Sequence, residues 1–183
     1  MNYCSNCGSA QLVSKTPEGD HKIRIVCENC RTVHYQNPKI VAGCLPVWED
    51  KVLLCKRAIQ PRHGLWTLPA GFMENNETVE QAAARETWEE SEANIEQLEL
   101  YTIISLPHIS QVYMMFRAKL RNLTFAPGIE SLEVKLFTQD EIPWENLAFM
   151  TIHRTLTHYF QDRVDGDFPV HLGVINKKPI TNR

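Results

Sequence analysis

At 183 residues and 43% hydrophobic, the chain carries enough apolar material for one substantial core and a small appended module. A net charge of -3 argues against a surface that coats nucleic acid, because affinity for a phosphate backbone is assembled from many basic contacts. No apolar run approaches the roughly 20 residues of a membrane span, and the start, Met1 to Cys7, has neither a basic nor an apolar leader, so the sequence reads as cytoplasmic, with a small molecule as its partner.

Residues 1–36 hold four of the six cysteines. The β-branched runs Ile23–Val26 and Thr32–Tyr35 flank Cys27-Glu28-Asn29-Cys30 in the manner of a hairpin, and the module has almost no core of its own. From Pro38 the character changes. Lys39–Trp48 and Val52–Lys56 read as strands around a turn at Glu49-Asp50-Lys51, and a Pro/Gly-rich loop then leads to Trp66-Thr67-Leu68. Thr78 to about Ser91 reads as a helix, with Thr78 and Gln81 at capping-box spacing and Ala82, Ala83 and Ala84 as strong helix formers. Further strands are predicted at Glu99–Ser105, Gln111–Leu120 and Leu132–Thr138. A last amphipathic helix carries Phe149, Ile152, Leu156, Tyr159 and Phe160 at helical spacing, as core cladding. The expected division is a module at 1–36, a main domain at 37–170 and a C-terminal tail at 171–183, polar and loose from Asn176 on. The mixed order of elements predicts an α+β or α/β sandwich.

Cys4-x2-Cys7 and Cys27-x2-Cys30 form two knuckles able to deliver four thiolates to a tetrahedral zinc. A redox pair has the same spacing, but a module this poor in apolar side chains needs a staple, and disulfides rarely persist in a reducing compartment. Four thiolates close the coordination shell, so Cys4, Cys7, Cys27 and Cys30 predict a structural zinc. Cys44 and Cys55 fall inside predicted strands and read as buried small hydrophobes.

Between Glu74 and Glu92 lie seven glutamates and one basic residue, Arg85. Such a run is an ordinary solvated face in many helices. Yet Glu86, Glu89 and Glu90 stand at i, i+3 and i+4, where like charges repel unless a cation lies among them; Mg²⁺ suits that place, since it bridges carboxylates and substrate phosphates.

Gly71, Glu77, Arg85, Glu86, Glu89 and Glu90 together resemble the Nudix box, G-x5-E-x7-R-E-U-x-E-E-x-G-U with U a bulky aliphatic. At about 6–7% usage per residue type, six such matches arise by chance about once in 10⁵ sequences. Thr87 and Ala93 stand where the box has aliphatics, and Glu92 replaces its closing glycine; Asn94 is expected to take the left-handed conformation that ends the helix. The resemblance implies that the Gly71 carbonyl and the carboxylates of Glu86, Glu89 and Glu90 surround Mg²⁺ or Mn²⁺, with Arg85 and Glu77 orienting them. It extends to the cysteine module, His34–Pro38, Gly43–Pro46, Gly64–Glu74 and Leu106–Tyr113, which are similar to a Nudix subfamily with an N-terminal zinc ribbon. That subfamily implies an α/β/α Nudix sandwich around a mixed sheet and activity on a nucleotide-linked diphosphate, FAD or ADP-ribose first. Family members are often homodimers, which leaves the state of this chain open.

For the proton acceptor two candidates stand: Glu86, and a glutamate in the loop Ala126–Glu133, where Glu130 is preferred because Glu133 falls inside the predicted strand. Phe72, His108 and Tyr113 are expected near the cleft as flat surfaces for substrate rings; Trp48, Trp66, Trp88 and Trp144 read as core or surface packing. An NADH pyrophosphatase is the alternative, but its S-Q-P-W-P-F-P-x-S stretch is replaced by Ser105-Leu106-Pro107-His108-Ile109-Ser110. A reading of another class makes the ribbon a nucleic-acid or protein-binding module on a passive Nudix fold; the intact glutamates and the ribbon's nearly balanced charge argue against it.

Overall fold

In the computed structural model, which describes residues 1–176, the chain divides into two units after Asn37. The first holds three short strands, β1 (Leu12–Lys15), β2 (Arg24–Cys27) and β3 (Val33–His34), antiparallel in that order. The expected hairpin is the β2–β3 pair, with Ile25 opposite His34 and Val26 opposite Val33. Cys4, Val26 and Cys27 are its buried hydrophobic residues, too little apolar surface to hold a fold without a cross-link.

The second unit is a mixed sheet with a helix against each face. Its strands are β4 (Lys39–Trp48), β5 (Lys51–Arg57), β6 (Trp66–Thr67), β7 (Ala70–Phe72), β8 (Ile95–Leu106), β9 (Gln111–Leu120), β10 (Ser131–Phe137) and β11 (His171–Val174); the helices are α1 (Val79–Ser91) and α2 (Met150–Asp165). The order across the sheet is β10-β5-β4-β9-β8-β11. β4 runs parallel to β9, and β11 parallel to β8.

Side chains alternate across a strand with period two, which assigns the two cores. Ala42 and Cys44 of β4 pack with Phe116 and Ala118 of β9 under Ala82 and Ala83 of α1. Leu45, Val52, Leu54 and Met115 point the other way, against Ile152, Leu156, Tyr159 and Phe160 of α2. The small alanines let α1 sit close, and the Cys44 thiol lies 3.5 Å from the Ala83 carbonyl. Each fully buried aliphatic of this kind contributes about 1.5–3 kcal/mol.

α1 begins at the capping box expected: the Gln81 amide donates to the Thr78 hydroxyl at 3.2 Å and the Thr78 amide to the Gln81 side chain at 2.7 Å. Its end differs from expectation. Glu92 itself, at φ 49°, takes the left-handed conformation assigned to Asn94, because Glu92 holds the place of the missing glycine, where its N–H still closes on the Trp88 carbonyl at 2.7 Å. Thr87 is tolerated in an aliphatic position because its buried hydroxyl donates to the Ala83 carbonyl at 2.7 Å.

The tail expected from residue 171 begins instead as a strand. His171–Val174 extends the sheet beyond β8, and the Ile175 amide donates to the Ser105 carbonyl at 2.9 Å. The loose stretch expected from Asn176 lies, after that residue, outside the described residues. Among the described residues no helix is long and apolar enough to cross a membrane.

Candidate active site

β4 and β5 stay paired for only two residues each beyond their turn, Val47 with Val52 and Trp48 with Lys51, and then diverge. The fork is filled by β6 against β5 and β7 against β4. This wedge carries Gly71, paired with Ala42, to the face where α1 lies. A Cβ at Gly71 would collide with the Glu86 carboxylate, so only glycine lets the backbone meet that side chain directly.

Arg85 organises the acidic helix. Its Nε and Nη2 donate to Glu77 at 3.0 and 2.8 Å, its Nη1 to Glu86 at 2.7 Å and Glu89 at 3.0 Å, and its Nη2 also reaches the Phe72 carbonyl at 3.2 Å. Glu77 in turn accepts the Glu74 amide at 2.6 Å. The Arg85 hydrogen bonds hold the Glu77 carboxyl down at about 2. Glu86 is raised, because burial outweighs the Arg85 hydrogen bond. Glu90 is pushed up to about 8 by burial and then by the charge of Glu86, with Arg57 opposing. One Glu90 carboxylate oxygen is buried without a hydrogen-bond partner among the described residues. A buried carboxylate oxygen with no donor, near the Glu86 carboxylate that itself abuts the Gly71 backbone, fits a divalent oxygen-seeking cation.

These groups lie along a cleft of about 1780 Å³ that the predicted residues Phe72, His108, Tyr113 and Glu130 also line. Phe72 is half exposed, with the Lys39 ammonium 4.9 Å from its ring centre. His108 sits in a 3₁₀ turn, Pro107–Ile109, between β8 and β9. Glu133 is not part of the cleft lining; it lies in β10 opposite Lys56, with which it pairs at 3.7 Å. Of the tryptophans read as core or surface packing, Trp66 is buried, and Trp88 is half exposed and lines the cleft with Trp144.

Arg57 escaped the sequence reading. It ends β5, donates from Nε to the Pro61 carbonyl at 2.9 Å and sits 5.2 Å from the Phe149 ring centre, on the cleft wall. An arginine closing a strand has no signature; only the pairing of β10 with β5 brings it near Glu130.

In the N-terminal unit the ligand atoms of Cys4, Cys7, Cys27 and Cys30 all lie within 4.8 Å of one another, with Cys4–Cys30 and Cys7–Cys27 sulfur separations of 3.6 Å. A tetrahedral zinc bound at about 2.3 Å spaces its sulfurs about 3.8 Å apart, so the four thiols fit that ion. Hydrogen bonding to the Thr32 hydroxyl and amide holds the Cys30 thiol down at about 5.

A four-cysteine ribbon followed by a mixed sheet between two helices, with a glutamate-rich helix bordering an open cleft, defines a two-part α+β protein. Residues 37–160 match the NUDIX domain and residues 2–36 the Nudix N-terminal zinc ribbon, and the chain belongs to the Nudix family. A NUDIX hydrolase from Nitrosomonas europaea is 60% identical, with a TM-score of 0.93 over 97% of this chain and 100% of that one. NAD-capped RNA hydrolases NudC from Photobacterium profundum and Escherichia coli O9:H4 are 31% and 32% identical over 72% and 77% of this chain, and 47% and 53% of their own length. The chain thus spans about half the length of these curated relatives. An ADP-ribose pyrophosphatase from Streptococcus suis, 20% identical, shares the fold with a TM-score of 0.62 over 74% of this chain and 99% of that one.

Proposed function

We propose that this chain is a divalent-metal-dependent pyrophosphatase that splits the diphosphate link of an ADP-containing dinucleotide or nucleotide sugar. The observation that carries the reading is the buried oxygen of Glu90, without a partner among the described residues and near Glu86, on a glutamate-rich helix that borders an open cleft. Gly71, Glu86, Glu89 and Glu90 hold Mg²⁺ or Mn²⁺, Arg85 and Glu77 orient them, and four cysteines hold a structural zinc. When bound, the divalent ion polarises phosphoryl oxygens and lowers the pKa of attacking water. Glu130 takes the proton from that water. It is preferred to Glu86 because Glu86 is already engaged by Arg85, while the loop of Pro127–Glu130 lines the cleft.

The sequence ranking of substrates changes. Nicotinamide dinucleotides lead, since the NudC relatives are named for an NAD-linked diphosphate. Capped RNA enters with them, so the expectation that nucleic acid is no partner is withdrawn. ADP-ribose remains the second reading, supported by Ser105–Ser110, which departs from the NADH stretch at the cleft edge. FAD has no support among the relatives. Phe72, His108 and Tyr113, which line the cleft, offer their rings to the flat parts of the substrate. Incubation with NADH, NAD⁺, ADP-ribose, FAD and NAD-capped RNA under Mg²⁺ or Mn²⁺, followed by product chromatography, tests this. The expected free-substrate products are AMP and the complementary monophosphate. No cleavage with either metal would leave the binding-module reading.

A further inference from the structure

The loop between β9 and β10 lies across the end of α1. The Ala126 amide donates to the Ser91 carbonyl at 2.9 Å and the Gly128 amide to the Glu90 carbonyl at 3.2 Å, satisfying two carbonyls that the last turn of a helix leaves without intrahelical partners. On its far side the same loop is tied to the sheet: the Ser131 amide donates to the Gly128 carbonyl at 3.0 Å and the Ala58 amide to the Glu130 carbonyl at 2.8 Å. Gly128 makes the closest approach. A Cβ there would overlap the Glu89 carbonyl oxygen and stand 2.8 Å from its carbon. The obstacle is helix backbone, which cannot turn aside as a flexible side chain can.

We infer that Gly128 is a positioning residue for the hydrolysis. Its missing side chain lets the loop rest on the backbone of the helix that carries Glu86, Glu89 and Glu90, and this fixes Glu130 at a set distance from that cluster. Segments distant in sequence, Ser91 with Ala126 and Glu90 with Gly128, are thereby joined through main-chain bonds, so the register of one determines the other. Any side chain at 128 lifts the loop and carries the Glu130 carboxylate away from the water it deprotonates. The inference rests on the reading of Glu130 as proton acceptor.

The test compares Gly128→Ala, Glu130→Gln and the double variant at saturating Mg²⁺, together with hydrogen exchange of the loop amides. Each single change is expected to lower kcat by roughly 10²-fold, the low end for loss of a positioned base, with KM little changed. The double variant is expected to be no slower than the slower single one. Both deficits narrow as pH rises, because hydroxide replaces a water that needs a base, a response that mere loosening of the fold does not give. The Ala126 amide exchanges faster in Gly128→Ala while β4 and β9 amides keep their protection. Near-wild-type kcat in Gly128→Ala, or deficits that multiply in the double variant, overturns the positioning role. Near-wild-type kcat in Glu130→Gln instead overturns the assignment of the base, and the positioning role with it. Should Gly128→Ala not fold, wild-type exchange decides: protection of the Ala126 and Gly128 amides comparable to α1 supports docking, and exchange at open-loop rates overturns it.

Discussion

Arg85 grips Glu77 with two parallel hydrogen bonds, from Nε at 3.0 Å and Nη2 at 2.8 Å, across eight residues of sequence. The remaining nitrogen, Nη1, is shared between Glu86 and Glu89. A planar fork is needed to do both at once. Arg85→Lys keeps the charge but loses the bidentate bond, and the expected result is a roughly 10–100-fold loss of metal affinity or activity, the usual cost of altering a group that orients metal ligands. A titration of activity against Mg²⁺, alongside a thermal melt showing the fold intact, checks it. Unchanged metal dependence in Arg85→Lys would count against the orienting role.

The N-terminal unit buries few hydrophobic residues besides its cysteines, so its folding free energy is expected to come mostly from metal. Purified protein should hold one zinc per chain by elemental analysis. Cys4→Ser is expected to abolish that zinc and raise hydrogen exchange across residues 1–36, while exchange in β4 to β9 stays as in wild type. A disulfide between the two knuckles in freshly purified protein would refute the zinc assignment.

Glu92 occupies a left-handed position at the end of α1, a conformation that costs an ordinary residue about 1–2 kcal/mol. Its carboxylate also faces the negative end of the helix. Glu92→Gly, which restores the box glycine, is therefore expected to stabilise the protein by about 0.5–1 kcal/mol. Calorimetry would register a rise of a few degrees in Tm; a fall would show that the Glu92 side chain makes a contact that outweighs the strain.

Asp162 of α2 accepts the Tyr101 hydroxyl and meets His171 Nε2, both at 2.6 Å, and so ties β8 and β11 to the helix. His171 stacks on His158 with ring centres 3.9 Å apart, and Arg154 holds the Val174 carbonyl at 2.8 Å. Burial alone would raise the Asp162 carboxyl, but the Tyr101 and His171 hydrogen bonds prevail and it is lowered. A carboxylate lowered in the folded state contributes stability that is present above its unfolded pKa, near 3.9, and is lost as pH falls through the lower folded value. Asp162→Asn is thus expected to cost about 1–2 kcal/mol at pH 7, with the gap to wild type narrowing below about pH 4. Paired melts from pH 7 to pH 3 measure this, and a gap that widens on acidification would contradict it.

What was legible in the sequence was local. Thr78 and Gln81 signal their capping box within four residues, and Lys39–Trp48 and Gln111–Leu120 announce their strands at the observed bounds through dense apolar patterning. β11 was missed because four residues including Gly173 give no periodicity, and its pairing partner β8 lies about 70 residues back. β7 was hidden for a related reason: Ala70-Gly71-Phe72 extends only because the fork between β4 and β5 receives it. In the cleft, Glu86, Glu89 and Glu90 follow from their spacing on one helix and Gly71 and Arg85 from the resemblance to the box, whereas Arg57 and Trp88 become cleft residues only through tertiary placement.

The arginine at the heart of the acidic helix gives the two proposed metal sites unequal independence. Glu86 and Glu89 have a cation of the chain's own between them, so their helix can fold before any ion arrives and can lose one without coming apart. The four thiols have no such substitute; besides one another, Cys7 and Cys30 meet neutral groups, the Asn29 and Asn6 amides at 3.7 and 3.6 Å and the Thr32 hydroxyl 3.1 Å from Cys30. Under the proposed reading, the divalent ion of the cleft is therefore free to exchange without unfolding its helix, while the ion of the ribbon is acquired together with the fold.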